Sequence, residues 1–358
     1  MSGSTEQRLW LDAIDRELLT SGALRRYIAE YAITGLTSNP TIFEQAVSKG
    51  SAYDETLRTG VLAGKTGEAL FFDLAIEDLR QAADLFRSIH ESTGRIDGWV
   101  SLEVSPFMAD DAVSTLEAAM QLYARAHCPN LMIKIPGTLA GNAAIEEAVF
   151  EGVPVNVTLL FSSDQYLAAA EAYIRGIERR LAAGRDLKVA SVASFFVSRW
   201  DAVVHDRVAP AYRNRLGIAI AHRAYAAYRA LLTSARWQNL ARAGAQPQRL
   251  LWASTGTKDP AAPPFLYAEA LALTLTINTL PEKTLLAYIA HGRPDSQPAL
   301  PPQELEALLA AFRPMGFDQA VLAEKLQRAG VAAFARSWTA LLQQISTRVT
   351  LLRGEVAS

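Results

Sequence analysis

The chain has 358 residues, 50% of them hydrophobic and 20% charged, which excludes a disordered, collagen-like or fibrous protein. Thirty-five basic and 37 acidic residues leave a net charge of −2, so no overall field attracts nucleic acid or an acidic membrane, and any anion site must be a local cluster. A single cysteine, Cys128, excludes an intrachain disulfide framework and a cysteine-based zinc site, and suits a reducing cytoplasm.

The opening MSGSTEQRLW has neither the basic nor the apolar region of a secretory signal. Apolar-rich stretches such as 268–276 fall far short of the ~20 residues that span a bilayer, so a soluble cytoplasmic protein is expected. The first β-rich run, 9–12, ends in Asp12, which reads either as the cap of a helix starting near Ile14 or as an acid/base. The second, 33–38, leads into Asn39-Pro40, an ordinary helix start or an amide for sugar hydroxyls. A helical stretch at 66–91 precedes the third run, 98–104, which delivers Glu103.

The fourth run, 131–135, carries Lys134 and is stopped by Pro136. The fifth, 154–160, delivers Asn156 and Thr158, and a second helical stretch covers 164–183. Ser194 and Phe196 end the sixth run, 188–196, and Arg199 follows. After a helical insertion at about 201–242, the seventh run, 249–254, gives Ser254, then Thr257 and Lys258. The eighth, 275–279, gives Asn278 and Thr279, and a helical tail covers about 302–352. The Pro- and Gly-containing stretches 244–247 and 291–302 read as connections.

Strands alternating with helices pair in parallel through helical crossovers. Eight of them predict an α/β fold of the closed (β/α)8 type, one domain with the helical insertion and tail as additions. An open doubly wound sheet is the alternative; it lacks support from any G-x-G-x-x-G or G-x-x-x-x-G-K-[ST] loop after a strand.

Barrel chemistry sits at the carboxyl ends of strands, where Lys134 is the sharpest signal. A desolvated lysine loses part of its preference for the charged form, and a neutral amine attacks a carbonyl to form a Schiff base. The alternatives are a lysine turned to solvent, or one paired structurally with a carboxylate such as Glu103. Glu103, Thr158 and Asp12 supply the proton transfers an imine mechanism needs. Asn39, Asn156 and Ser194 are uncharged groups suited to sugar hydroxyls, and Arg199, Ser254, Thr257 and Lys258 form a possible phosphate cradle with Gly256 allowing close approach. The five histidines show no metal-ligand spacing. His90 reads as a surface residue, Arg179-Arg180 as a solvated helix face, Cys128 as buried filler, and the six tryptophans as core.

Together these motifs resemble the transaldolase family, in its longer bacterial branch. The matching stretches are LWLD (9–12), GLTSNPTIF (35–43), SLEVSP (101–106), LMIKIPGT (131–138), VPVNVTLLFS (153–162), VASFFVSRWD (192–201), LLWASTGTKDP (250–260) and NTLPEKT (278–284). The resemblance implies a barrel circularly permuted relative to other Schiff-base aldolases. It implies Lys134 as the Schiff-base lysine, Glu103 and Thr158 around a catalytic water, and Asp12 as acid/base at the cleaved bond. Asn39, Asn156 and Ser194 would hold the dihydroxyacetone portion, Arg199 the phosphate, with Ser254 assisting. The shorter branch has an arginine two residues after the Ser254 equivalent; here that place is Gly256, and Lys258 is expected to supply the charge.

The implied reaction moves a dihydroxyacetone unit from sedoheptulose 7-phosphate or fructose 6-phosphate to glyceraldehyde 3-phosphate or erythrose 4-phosphate, in the pentose phosphate pathway. No metal or diffusible cofactor is required, because the imine is the electron sink. Expected partners are sugar phosphates, not nucleic acid or membrane, with the chain a monomer or homodimer. The alternatives are an aldolase that releases free dihydroxyacetone and a non-catalytic phosphosugar-binding barrel. Phe195 and Phe196, where aldolase-like relatives place a tyrosine hydroxyl, favour transfer.

Overall fold

The computed structural model describes residues 6–293 and 297–356. Eight strands follow one another around a closed barrel: β1 (Arg8–Asp12), β2 (Ile33–Thr37), β3 (Trp99–Glu103), β4 (Leu131–Pro136), β5 (Val155–Leu160), β6 (Ser191–Phe196), β7 (Arg249–Ala253) and β8 (Ile277–Leu280). Each runs parallel to its neighbours, and β8 pairs back with β1. This is the expected (β/α)8 architecture. Two strands, β6 and β8, start more than one residue later than the sequence suggests. Val189 N bonds to Leu187 O in a tight turn ahead of β6, and Leu275 has φ +62°, which an extended chain cannot include.

Helices α1 (Arg16–Thr20) and α2 (Ala23–Tyr31) join β1 to β2, and α3 (Pro40–Ser48), α4 (Asp54–Leu62) and α5 (Gly67–Ser92) join β2 to β3. Single helices make the next three crossovers: α6 (Ala112–Ala126), α7 (Leu139–Glu151) and α8 (Ser163–Ala182). The longer link from β6 to β7 carries α9 (Ser198–Val204), α10 (Leu216–Thr233) and α11 (Ala235–Arg242). Helix α12 (Leu266–Ala270) precedes β8, and α13 (Glu282–His291), α14 (Pro302–Phe312) and α15 (Gln319–Val356) follow it. No described helix is long and apolar enough to cross a membrane.

Helices leave the barrel at defined caps. Asn39, Thr138 and Ser162 each accept a backbone N–H in the first turn of α3, α7 and α8. Helix α1 is capped by Asp15, so Asp12 is not a cap and its carboxylate is available inside the barrel. The strands are buried on both faces, as parallel strands under helices must be: Leu102, Ile133, Ile135, Val155 and Val157 enter the apolar cluster that also holds all six tryptophans. Gly35 is required by close approach, since a Cβ there would lie 2.4 Å from the Trp10 ring.

Two residues expected at the surface are interior. His90, in the last turn of α5, is buried edge-on against Trp99, with Nδ1 3.0 Å from Asp97 O; burial lowers its pKa. Arg180 is buried and donates to Phe150 O, in the last turn of α7, and to Asp186 O, in the loop after α8. Its neighbour Arg179 is half-exposed and pairs with Glu146 and Glu147. Cys128 is buried, as expected.

Candidate active site

Strand register sets the first level of the site. Glu103 on β3 is opposite Lys134 on β4, which is opposite Asn156 on β5. Side chains two apart share a face, so Ser101 lies beneath Glu103 and Thr158 above Asn156. Asn156 Nδ2 donates to Ser101 Oγ at 3.0 Å, although β4 separates their strands, so the bond runs through the barrel interior. Ser194 on β6 donates to Asn156 Oδ1 at 2.7 Å. A row of polar groups therefore crosses the barrel in a single layer.

Lys134 is 4% exposed, and its Nζ donates to Ser38 O at 3.1 Å and stands 3.3 Å from Glu103 Oε2. The solvent-facing alternative for this lysine is thus removed, and the carboxylate pairing is real. Asp12 accepts from Thr37 Oγ1 at 2.6 Å and interacts electrostatically with Lys134. Burial raises the Asp12 pKa, against lowering by Lys134 and Thr37. For Glu103, burial outweighs Lys134 and places its pKa at about 7. Thr158 Oγ1 is buried without a protein hydrogen-bond partner, so it can bind and orient a water.

Above this layer opens a cavity of about 500 Å³ at the carboxyl ends of the strands. Its wall includes Asp12, Asn39, Lys134, Ser194, Phe196, Arg199, Ser254 and Lys258. Glu103, Asn156 and Thr158 do not line the cavity and are buried, and Glu103 meets its lining through Lys134. Asn39 both caps α3 through Oδ1 and lines the cavity, so its two readings hold together. Thr257 instead bonds to Pro263 O and is not on the wall, Asn278 is buried away from it, and Thr279 lines it.

The cationic end of the cavity is Arg199 with Lys258 and Ser254. The Arg199 guanidinium lies over the Phe196 ring at 5.1 Å and the Phe334 ring at 5.8 Å. Among the described residues no carboxylate comes within ion-pair distance of it, so its donors are open to an anion. Ser254 adopts φ +53° and its Oγ is 3.1 Å from Ser198 Oγ. Lys258 is exposed at the rim.

Sequence reasoning missed four contributors. Ser38 acts through a carbonyl oxygen, Ser101 and Thr37 hold partners in place, and Phe334 comes from α15 to stand 5.5 Å from Lys134 Nζ. Of the two phenylalanines singled out, only Phe196 lines the cavity; Phe195 turns outward to meet Trp252 edge-on. A larger cavity, about 670 Å³, lies at the opposite pole, where Arg8 and Arg249 both pair with Asp97. That pole of a barrel serves stability, and it carries none of the groups above.

Comparison with known proteins finds a matching family and full-length relatives. A family model described as Transaldolase/Fructose-6-phosphate aldolase matches residues 9–345. A transaldolase of Thermobifida fusca is 43% identical over 350 residues, covering 95% of each chain. A transaldolase of Parafrankia sp. is 42% identical, covering 94% of each, and one of Thiobacillus denitrificans is 42% identical, covering 95% of this chain and 97% of its own.

Proposed function

The chain belongs to the Transaldolase/Fructose-6-phosphate aldolase family, and on that premise we propose how its site works. It is a transferase of the transaldolase type, acting on a ketose phosphate donor and an aldose phosphate acceptor in the pentose phosphate pathway. The observation that carries the residue assignment is the Lys134 amine, buried between Glu103 and Asp12 at the bottom of a cavity with a cationic far end.

Glu103, ionisable near neutrality and 3.3 Å away, takes a proton from Lys134 Nζ. The amine attacks the donor's keto carbon. The protonated Glu103, through a water held by Thr158, returns its proton to the carbinolamine hydroxyl, which leaves as water and gives an iminium. Asp12, oriented by Thr37, removes the proton of the hydroxyl on the carbon beyond the scissile bond. The carbon–carbon bond breaks, its electrons move to the iminium, and an aldose phosphate departs. The enamine on Lys134 then attacks the acceptor aldehyde, Asp12 returns its proton, and hydrolysis frees the new ketose.

Asn39, Asn156 and Ser194 hold the hydroxyls of the transferred unit. The Ser194–Asn156–Ser101 chain fixes their directions. Arg199, with Ser254 and Lys258, takes the phosphate at the cavity's far end. The chain acts as a monomer or homodimer in this reading. A cytoplasmic location belongs to the same proposal, since phosphorylated sugars do not cross membranes freely.

Borohydride reduction in the presence of fructose 6-phosphate, followed by peptide mass spectrometry, is the test. The expected result is a reduced three-carbon or sugar adduct on the peptide containing Lys134, with Lys134→Ala folded but inactive. Turnover retained in Lys134→Ala, or an adduct on another lysine, would overturn the assignment.

A further inference from the structure

We propose that Phe334, carried by the C-terminal helix α15, determines the fate of the enamine on Lys134, by keeping water from it until an acceptor aldehyde arrives. The inference rests on the Schiff-base reading above and adds a residue that the barrel itself does not contain.

The Phe334 ring lines the cavity and is almost wholly buried. It stands 5.5 Å from Lys134 Nζ and 5.8 Å from Arg199 Cζ, and its centroid is 6.5 Å from that of Phe196. Phe196 comes from β6 and Phe334 from α15; the two rings meet edge-on, the guanidinium lies over both, and Phe334 stands beside the reacting amine as well. A ring face beside Lys134 favours a cationic iminium, while its bulk displaces the water that would surround the enamine.

Helix α15 is fixed so that this ring cannot swing away easily. Gln327 Nε2 donates to Gly137 O and Leu159 O, the backbone just after β4 and within β5, and Trp338 Nε1 donates to Glu68 Oε1 on α5. These bonds lie on either side of Phe334 along α15. The ring is therefore a built wall of the site.

The competing reaction is fully balanced. Water protonates the enamine carbon, giving the iminium and hydroxide; hydroxide adds to the iminium carbon; and collapse releases dihydroxyacetone and the free amine. The net consumption is one water, the same water lost when the imine formed. An open site performs this reaction; an enclosed one waits for the acceptor.

The experiment measures free dihydroxyacetone against sedoheptulose 7-phosphate formed, using fructose 6-phosphate with erythrose 4-phosphate. Phe334→Ala should raise that ratio about tenfold, with borohydride trapping at Lys134 retained. Phe334→Leu, which keeps apolar bulk and protects against misfolding, should raise it about twofold. A ratio unchanged in both folded variants, even with kcat reduced, would make Phe334 a packing residue only and overturn the proposal. If the unmodified enzyme gives no adduct at Lys134, it is the Schiff-base assignment that fails, a different outcome from a trapped enzyme with an unaltered ratio.

Discussion

Glu103 Oε2 and Lys134 Nζ meet at 3.3 Å across adjacent strands, both side chains buried, with the carboxyl pushed up to about 7. A carboxyl that titrates there can accept a proton and return it within one catalytic cycle. Because proton acceptance needs the ionised form, kcat/KM should fall as pH drops below about 7. Glu103→Gln should lower kcat by about 10²- to 10³-fold and remove that acid limb. The pH–rate profile of both proteins checks it; an acid limb preserved in Glu103→Gln would assign the ionisation to another group.

In the proposed mechanism Asp12 works at a later step, so its loss should separate imine formation from bond cleavage. Thr37 Oγ1, which donates to Asp12 Oδ1 at 2.6 Å, remains able to donate to the amide oxygen of Asp12→Asn. That variant should still be trapped by borohydride at Lys134, yet cleave the donor about 10²- to 10⁴-fold more slowly. Single-turnover release of glyceraldehyde 3-phosphate measures the cleavage. Loss of trapping along with cleavage would place Asp12 in imine formation instead.

Arg199 and Lys258 should contribute unequally to phosphate binding. Arg199 is largely buried, has no carboxylate within ion-pair distance among the described residues, and is oriented by two rings, so its charge-assisted bonds to phosphate are worth about 1.5–3 kcal/mol. Arg199→Ala should raise KM for fructose 6-phosphate by about 10- to 100-fold. Lys258 is exposed at the rim, where screening limits an ion pair to about 1 kcal/mol, so Lys258→Ala should raise KM only a few-fold. Neither should change KM for fructose comparably. Equal changes with both sugars would show that the residues shape the cavity without reading the phosphate.

The barrel and the placement of Lys134 and Glu103 inside it are legible because both leave marks in the sequence. A lysine in LMIKIP and a glutamate in SLEV interrupt apolar runs whose other residues are buried on both faces, and a polar residue there needs a reason. Phe334 leaves no such mark, since an aromatic at helical spacing looks the same whether it fills a core or faces a reacting amine. Ser38 contributes a carbonyl oxygen, which any residue has. His90 and Arg180 differ from expectation because helical periodicity identifies one buried face, while their partners lie outside their own helices: Asp97 O for His90, and Asp186 O and Phe150 O for Arg180. The β8 start was misplaced because nothing in LTLTINT marks Leu275 as left-handed.

Asp201 shows how the insertion between β6 and β7 is held, and it gives a stability prediction independent of catalysis. It is buried and accepts Leu216 N at 2.9 Å, Gly217 N at 3.0 Å and the Tyr267 hydroxyl at 2.9 Å. It therefore caps α10 from a distance and ties it to α12. Asp201→Ala would leave two backbone donors and a hydroxyl without an acceptor, costing about 2–4 kcal/mol and several degrees of Tm. Burial raises its pKa from 3.8 to about 6, against lowering by those three donors. The folded state thus holds this proton more tightly than the unfolded chain. The associated stability is complete below pH 3.8 and is lost as pH rises through about 6. Asp201→Asn, neutral throughout, cannot lose it. Urea denaturation at pH 5 and pH 7.5 should show a smaller fall in stability for Asp201→Asn than for the unmodified chain. Parallel falls would mean that this carboxyl does not titrate in that window and that the three donors keep it ionised.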